Sequence, residues 1–513
     1  MASARLFTRK TVVLLLLVCA FTSALMLTAR QFGSYGDIYG LREKLPDLGN
    51  DGASGNDRTG DKAHAGGQRV GQDPQSSKLD DECALFPGTS SVLLVMKTGA
   101  SESYSKLPTQ LITNLKCVSY FLFFSDMAQK IAGYTIHDSL DTVLDEVKEK
   151  NKDFDLYHRQ KKCPIDQEQC NKGQEVASQG WNLDKYKNIH MAEKAYMLRP
   201  NHDWYLFVDA DTYVVFPTLM EWLKQMDASK PHYIGSVAYL SGFPFGHGGS
   251  GYLVSKAAMS SMFDGKTGVA NRYDEQIQHT CCGDYMWSKA LKDETGIPVV
   301  NAVSISRMAA KLTCALQSLT VRVLQWPVIN GEKPQTIPYA ANEWCQPIVT
   351  MHHVGAEEIS DLYAFEKKRK FKKMLRIKDL YHNFMSQQLV DVRPDWDNLS
   401  DDVNYLNKTS GHFEEWELGN AKTEYLSDVE AEAHKSFDDC KKVCSSLATC
   451  FQFRYRNGIC GVSYNFKNGN PVKKGDDDSK RYMSGWNIER IKNWIDEQGD
   501  CDKQTFKWPV TDE

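Results

Sequence analysis

The segment Trp204-Tyr-Leu-Phe-Val-Asp-Ala-Asp-Thr-Tyr-Val-Val215 decides the architecture of this chain, because five apolar residues run directly into Asp209-Ala210-Asp211. A short continuous apolar run is how a strand buried on both faces reads. Side chains alternate along a strand, so two carboxylates one residue apart fall on the same side of the pleat. At the end of a buried strand such a pair is a candidate site for a hard divalent cation such as Mn2+ or Mg2+, which takes oxygen ligands. The same residues also make an ordinary solvated turn, since Asp is favoured there, and the neighbouring motifs must decide.

Upstream, Ser91-Val-Leu-Leu-Val-Met96 and Tyr120-Phe-Leu-Phe-Phe124 are further buried strands of the same type. Leu140, Val143, Leu144 and Val147 recur at helical spacing, as do Leu219, Trp222, Leu223 and Met226 behind Pro217, a favoured first-turn residue. Strands alternating with helices predict an α/β fold: a mostly parallel sheet with helices on both faces and ligands beyond the carboxyl ends of the strands. Asp209 and Asp211 stand at such an end.

Three later motifs belong to the same argument. Gly246-His-Gly-Gly-Ser-Gly251 lets backbone approach a ligand closely, and Ser255 can cap the helix that follows, although a plain turn has the same glycines. Asp284 opens an amphipathic pattern at Cys282-Gly-Asp-Tyr-Met-Trp-Ser-Lys-Ala-Leu291, where it serves either as helix N-cap or as a fixed general base. Thr350-Met-His-His-Val354 ends an apolar run; adjacent residues of a strand face opposite ways, so one of His352 and His353 is expected to reach a cation on the Asp pair.

The ends of the chain speak to compartment. Thr11 to Ala29 is an almost unbroken apolar run behind Arg5, Arg9 and Lys10. At about 1.5 Å per residue it reaches roughly the thickness of a hydrocarbon core. It is longer than a signal peptide's apolar region, and its basic flank predicts a type II orientation. Residues 1–10 are then a cytoplasmic tail, 11–29 a single transmembrane anchor, and 30–82, rich in Gly, Asp, Ser and Gln, a disordered stem. Of 14 Cys, Cys19 lies in the anchor, leaving an odd number beyond it, a density that suits an oxidising lumen. The sequons Asn398-Leu-Ser400 and Asn407-Lys-Thr409 fit the same compartment. A net charge of −5 argues against a nucleic-acid partner. The basic run Lys367–Lys373 falls in a helical pattern with Phe365, Phe371, Met374 and Leu375 and reads as a solvated helix face.

The composition changes beyond residue 414, where Cys440, Cys444, Cys450 and Cys460 indicate a small disulfide-stapled α+β module with three conceivable pairings. The expected division is a catalytic domain at 83–385, a linker at 386–413 and the module at 414–513.

Taken in order, Val92-Leu-Leu-Val-Met-Lys-Thr-Gly99, Phe124-Ser-Asp126, Asp203–Val214, Gly248-Gly-Ser-Gly-Tyr-Leu-Val-Ser255, Gly283-Asp284 and Met351-His-His-Val354 resemble glycosyltransferase family 31, closest to the core 1 β-1,3-galactosyltransferase and Fringe branch, especially its fungal members. The C-terminal cysteine pattern resembles a PAN/apple module. The resemblance implies a Rossmann-like GT-A fold and an inverting, Mn2+-dependent Golgi transferase. Such an enzyme moves a hexose, galactose first, from a UDP-sugar to a glycan or glycoprotein acceptor in β-1,3 linkage. Carried over, it implies Asp211 with Asp209 and His352 for the metal diphosphate, with His353 as the alternative imidazole. Asp284 would be the base, and the loop of Gly248, Gly249 and Tyr252 the acceptor side. Thr98, Gly99, Asp126 and Lys187 become donor-pocket positions. A homodimer is compatible with this reading. Two departures stand out: Ala210, where the animal enzymes show a third consecutive Asp, and Gly283, where they show an acidic residue. The competing function is a non-catalytic relative acting as a chaperone or lectin-like binder. The chaperone relative lacks the Asp motif, whereas this chain keeps Asp209, Asp211, Asp284 and His352.

Overall fold

The structure, a computed structural model, describes residues 83–163, 165–173, 175–307, 322–340, 343–406, 413–475 and 481–501, with 508 and 510. The expected anchor and stem and the sequon at Asn407 lie outside these residues. Among the described residues no helix is long and apolar enough to cross a membrane.

The apolar runs form strands β1 (Val92–Lys97), β2 (Phe121–Ser125) and β5 (Trp204–Asp209), joined by β3 (Gln129–Ile131), β4 (Tyr134–Asp138), β7 (Tyr233–Gly235), β10 (Tyr252–Ser255) and β11 (Val300–Asn301) in one eight-stranded sheet. Its order is β11-β7-β10-β5-β1-β2-β4-β3. The pairs β1–β2, β1–β5, β2–β4 and β7–β11 are parallel; β10 runs antiparallel to β5 and β7, and β3 to β4. A mixed, mostly parallel sheet of this kind is consistent with a GT-A-like fold.

Period-two alternation explains why the central runs are apolar throughout. Leu93 and Val95 of β1, with Tyr205 and Phe207 of β5, pack on the face covered by helix Val176–Leu198. Val92, Leu94 and Met96, with Trp204, Leu206 and Val208, pack on the opposite face against Leu107 of helix Ser103–Ile112 and Trp222 of helix Phe216–Leu223. With each full burial of a large apolar side chain contributing about 1.5–3 kcal/mol, these two layers hold the sheet rigid beneath its carboxyl edge.

Two expected helices are shorter than their patterns. Leu140 and Val143 precede helix Asp145–Glu149 rather than lying within it. Helix Ala356–Lys368 ends inside the basic run, where Lys370 and Phe371 take positive φ and Phe371 turns into the core.

The C-terminal unit is a five-stranded antiparallel sheet in the order Val392–Pro394, Met483–Trp486, Gln452–Arg456, Ile459–Ser463, Val403–Leu406. Helix Phe437–Ser446 is stapled to it by nested Cys440–Cys460 and Cys444–Cys450 disulfides. The expected linker at 386–413 is corrected: it supplies two strands of this sheet, because Val403-Asn-Tyr-Leu406 pairs with Ile459–Ser463. The sequon at Asn398 is corrected as well. Its side chain is fully buried, donates to the carbonyls of Phe453 (3.1 Å) and Gly485 (3.2 Å) and accepts from Ser400, so the folded chain offers no amide there for glycosylation.

Candidate functional site

The carboxyl ends of β1, β2 and β5 and the incoming end of β10 meet at one edge of the sheet. Lys97, the last residue of β1, is in register with Asp209, the last of β5. Its buried ammonium lies 3.4 Å from Asp209 Oδ1 and also binds Asp184 of helix Val176–Leu198. Burial alone would lower the Lys97 pKa, but Asp184 and Asp209 hold it well above the ordinary lysine value. Burial raises Asp209 to about 6, a shift that Lys97 opposes and Asp184 and Asp211 reinforce.

Asp211 does not continue the strand. β5 ends at Asp209, the turn 209–212 is closed by Thr212 N–H on Asp209 O (3.0 Å), and the buried Gln110 amide donates to the carbonyls of Ala210 (2.8 Å) and Thr212 (3.0 Å). The two carboxylates therefore diverge: Asp209 faces Lys97, whereas Asp211 lies 3.3 Å from Lys106 and 3.4 Å from His352 Nδ1. Burial would raise Asp211, but His352, Lys106 and His353 together pull it below the usual carboxylate range.

The strand Thr350–Met351 pairs antiparallel with β6 (Tyr213–Val214) and stops before the histidines. His353 has φ +58°, and its ring centroid sits 3.9 Å from that of His352. The expectation that only one imidazole reaches the site is corrected, because strand alternation ends at Met351. Asp211, His352 and His353 each bring a ligand atom within 4.8 Å of the others. Their one carboxylate and two imidazoles fit a divalent transition ion. Asp209 is outside this cluster. Burial drives His352 down to about 3, so it is a neutral imidazole at ordinary pH.

The glycine loop joins this cluster to Asp284. Gly248 N–H donates to Asp284 Oδ2 at 2.8 Å, and a Cβ on Gly249 would fall 2.1 Å from His352 Nε2. Asp284 is not the N-cap of helix Gly283–Thr295; Cys282 holds that position, and the partly exposed carboxylate lies in the first turn. Immediately before the helix, the adjacent residues Cys281 and Cys282 are joined in a vicinal disulfide. Tyr252, by contrast, is core: it is 1% exposed and stacks with Phe207 and Trp287.

The four positions expected to line a donor pocket fall into two layers. Thr98 and Gly99 follow β1 directly, while Lys187 and Asp126 are buried beneath them. Lys187 donates to Thr98 O at 3.0 Å and lies 3.6 Å from Asp126, whose carboxylate accepts from Ala100 N–H at 2.6 Å. They brace that loop from below. Lys97, Lys106, Gln110, Asp184 and His247 escaped the sequence reading. Only Lys97 left a signal, as a lone cation at the end of a run whose partner strand ends in Asp. His247 is held by Ser250, with its ring 5.9 Å from that of His352. A cavity of about 1230 Å³ between Trp204, Met220, Lys256 and Arg369 opens near the start of β5 and contains none of these residues.

No curated protein matches the chain. Residues 152–292, which hold Asp184, Lys187, β5, Asp209, Asp211, the glycine loop and Asp284, match the Fringe-like family model, and this supports a glycosyltransferase of the Fringe-like family.

Proposed function

We propose that the protein is an inverting, divalent-cation-dependent transferase that moves a hexose, galactose first among donors, from a UDP-sugar to a glycan or glycoprotein hydroxyl in β-1,3 linkage. One observation carries the reading: two consecutive glycines connect a proton acceptor to a cation-binding set, Gly248 on Asp284 and Gly249 on His352. An acceptor hydroxyl is a poor nucleophile until a carboxylate takes its proton, and Asp284 is partly exposed and fixed by backbone N–H groups of Gly248 and Tyr285. The activated oxygen attacks the anomeric carbon through an oxocarbenium-like state while the bond to UDP breaks, so a single displacement turns an α-linked donor into a β-linked product. A divalent ion held by Asp211 and His352 would supply Lewis-acid neutralisation of the departing diphosphate, worth several kcal/mol. Lys97, itself buried, keeps the partly exposed Asp209 and Asp184 compensated at the same edge.

We place the catalytic body in the Golgi lumen behind a single type II anchor at Thr11–Ala29. Six disulfides among the described residues support an oxidising compartment. The test is UDP release from a panel of UDP-sugars with Mn2+, run on the native chain and on Asp284→Asn. The expected result is release by the native chain and none by the variant, with UDP affinity retained. Equal loss of turnover and UDP affinity would refute the role of Asp284, and no release with any donor would refute the transferase.

A further inference from the structure

We propose that His353 is a working second imidazole, so that Asp211, His352 and His353 form a nitrogen-rich centre that takes a manganese-to-zinc transition ion before any nucleotide arrives and discriminates against Mg2+. This deepens the metal-dependent reading above and rests on it. Three observations carry it. All three side chains bring ligand atoms within 4.8 Å of one another. His353 achieves this with φ +58°, a left-handed conformation that costs a non-glycine residue about 1–2 kcal/mol and that nothing in a plain strand end requires. The strained corner is also tied to the backbone of the residue whose carboxylate it faces: Val354 N–H donates to the main-chain carbonyl of Asp211 at 2.9 Å, next to the pairing of Met351 with Tyr213.

Donor chemistry then sets the ion. Mg2+ demands near-octahedral oxygen ligation and dehydrates reluctantly, whereas imidazole nitrogen suits the transition ions. Two nitrogens against one carboxylate tilt the centre away from Mg2+ even without a diphosphate to share the ion. Lys106 is consistent with a cation place, since its ammonium rests 3.3 Å from Asp211 Oδ2.

The experiment is nucleotide-free titration of the chelator-stripped protein with Mn2+, followed by loss of the free-ion paramagnetic resonance signal, and with Co2+, followed by its visible absorption. Mg2+ is tested as competitor. The native chain should bind Mn2+ and Co2+ at least about tenfold more tightly than Mg2+. His353→Asn, which tolerates the left-handed backbone but removes the imidazole, should lose at least about tenfold in Mn2+ and Co2+ affinity, the scale seen even for outer-shell changes at metal sites. His353→Gly should behave the same while relieving the strain. Wild-type affinity in both variants, or equal binding of Mg2+ and Mn2+ by the native chain, would overturn the proposal. If the metal pattern holds while no UDP-sugar is turned over, the centre stands and the transferase reading falls. Turnover with Mn2+ that His353→Asn leaves intact, at unchanged metal affinity, has the opposite meaning.

Discussion

At the scale of single residues, the site edge is governed by charges that the local pattern hides. Lys97 is the clearest: its buried ammonium compensates Asp184 and Asp209 at once. Both carboxylates are partly exposed and Asp184 keeps Lys187 3.5 Å away, so Lys97→Met should lose about 1–3 kcal/mol in chemical denaturation, and unchanged stability would contradict the brace. Lys106 sits at the opposite extreme, about a third exposed, where such a pair is worth about 0–1 kcal/mol. Lys106→Ala should therefore raise nucleotide-free Mn2+ affinity by at most about fivefold; a fall would show that Lys106 assists the ion instead of competing with it. His352 gives a pH test. Buried, it titrates at about 3, against 6.5 when unperturbed. Between those values the unfolded chain binds a proton that the folded chain refuses, so this contribution is complete above about pH 6.5 and fades as pH falls towards 3. Asp209, raised to about 6, slopes the other way between about pH 4 and 6, so the comparison must be with a variant. His352→Gln should lose less melting temperature than the native chain between about pH 7 and pH 5, and equal losses would place the acid sensitivity elsewhere. The sequence made Asp211, Asp284 and His352 legible because motif order marked them. Asp184 and Gln110 were not legible, since their partners come from distant segments and no local spacing encodes a helix laid across a strand end.

At the scale of elements, Asp284 is positioned by how closely two helices approach. Gly283 opens the helix that carries Asp284, and a Cβ there would lie 2.7 Å from Lys185 O and 2.8 Å from Asn188 Oδ1 of helix Val176–Leu198. No side chain fits at this position as the two helices are packed here, where the resemblance implies an acidic residue in the animal enzymes. Gly283→Ala should force the helices apart, destabilise by about 1–3 kcal/mol as overpacking does, and lower turnover by displacing Asp284. Normal turnover in this variant would show that Asp284 tolerates the shift and is not fixed by this contact. The central strands were readable because burial on both faces writes a continuous apolar run, as in Val92–Met96 and Trp204–Val208. The histidine corner was misread for the complementary reason. Alternation predicts opposite faces for His352 and His353, whereas the strand stops at Met351 and a positive φ at His353 brings the second ring round.

At the scale of the whole molecule, the C-terminal unit is part of the body. One apolar cluster runs from Tyr213, Ile337, Tyr339, Trp344 and Tyr381 into Phe466, Trp486 and Ile491, so the two units share a core. Backbone bonds cross it, with Tyr339 N–H on Phe466 O (2.8 Å) and Gly469 N–H on Gln335 O (2.8 Å), and the Cys345–Cys501 disulfide closes it over 156 residues. The cysteine spacing announced a stapled unit, yet the strands Val392–Pro394 and Val403–Leu406 are too short to stand out from a linker in sequence alone. Because Tyr213 belongs both to this shared core and to β6, which pairs with the strand leading to His352 and His353, the module supports the histidine corner from behind. Ending the chain after Met385 would strip Tyr339, Trp344 and Tyr381 of their apolar cover, and such a fragment should be aggregated or unfolded. Opening only the disulfide with Cys345→Ser and Cys501→Ser is the milder test. Loop-closure entropy for so long a span sets an upper scale of about 5 kcal/mol, reduced where the shared core already holds the ends together. A soluble, cooperatively folding 83–385 fragment that binds Mn2+ and UDP like the intact protein would show that the shared core is dispensable and return the module to the status of an appended domain.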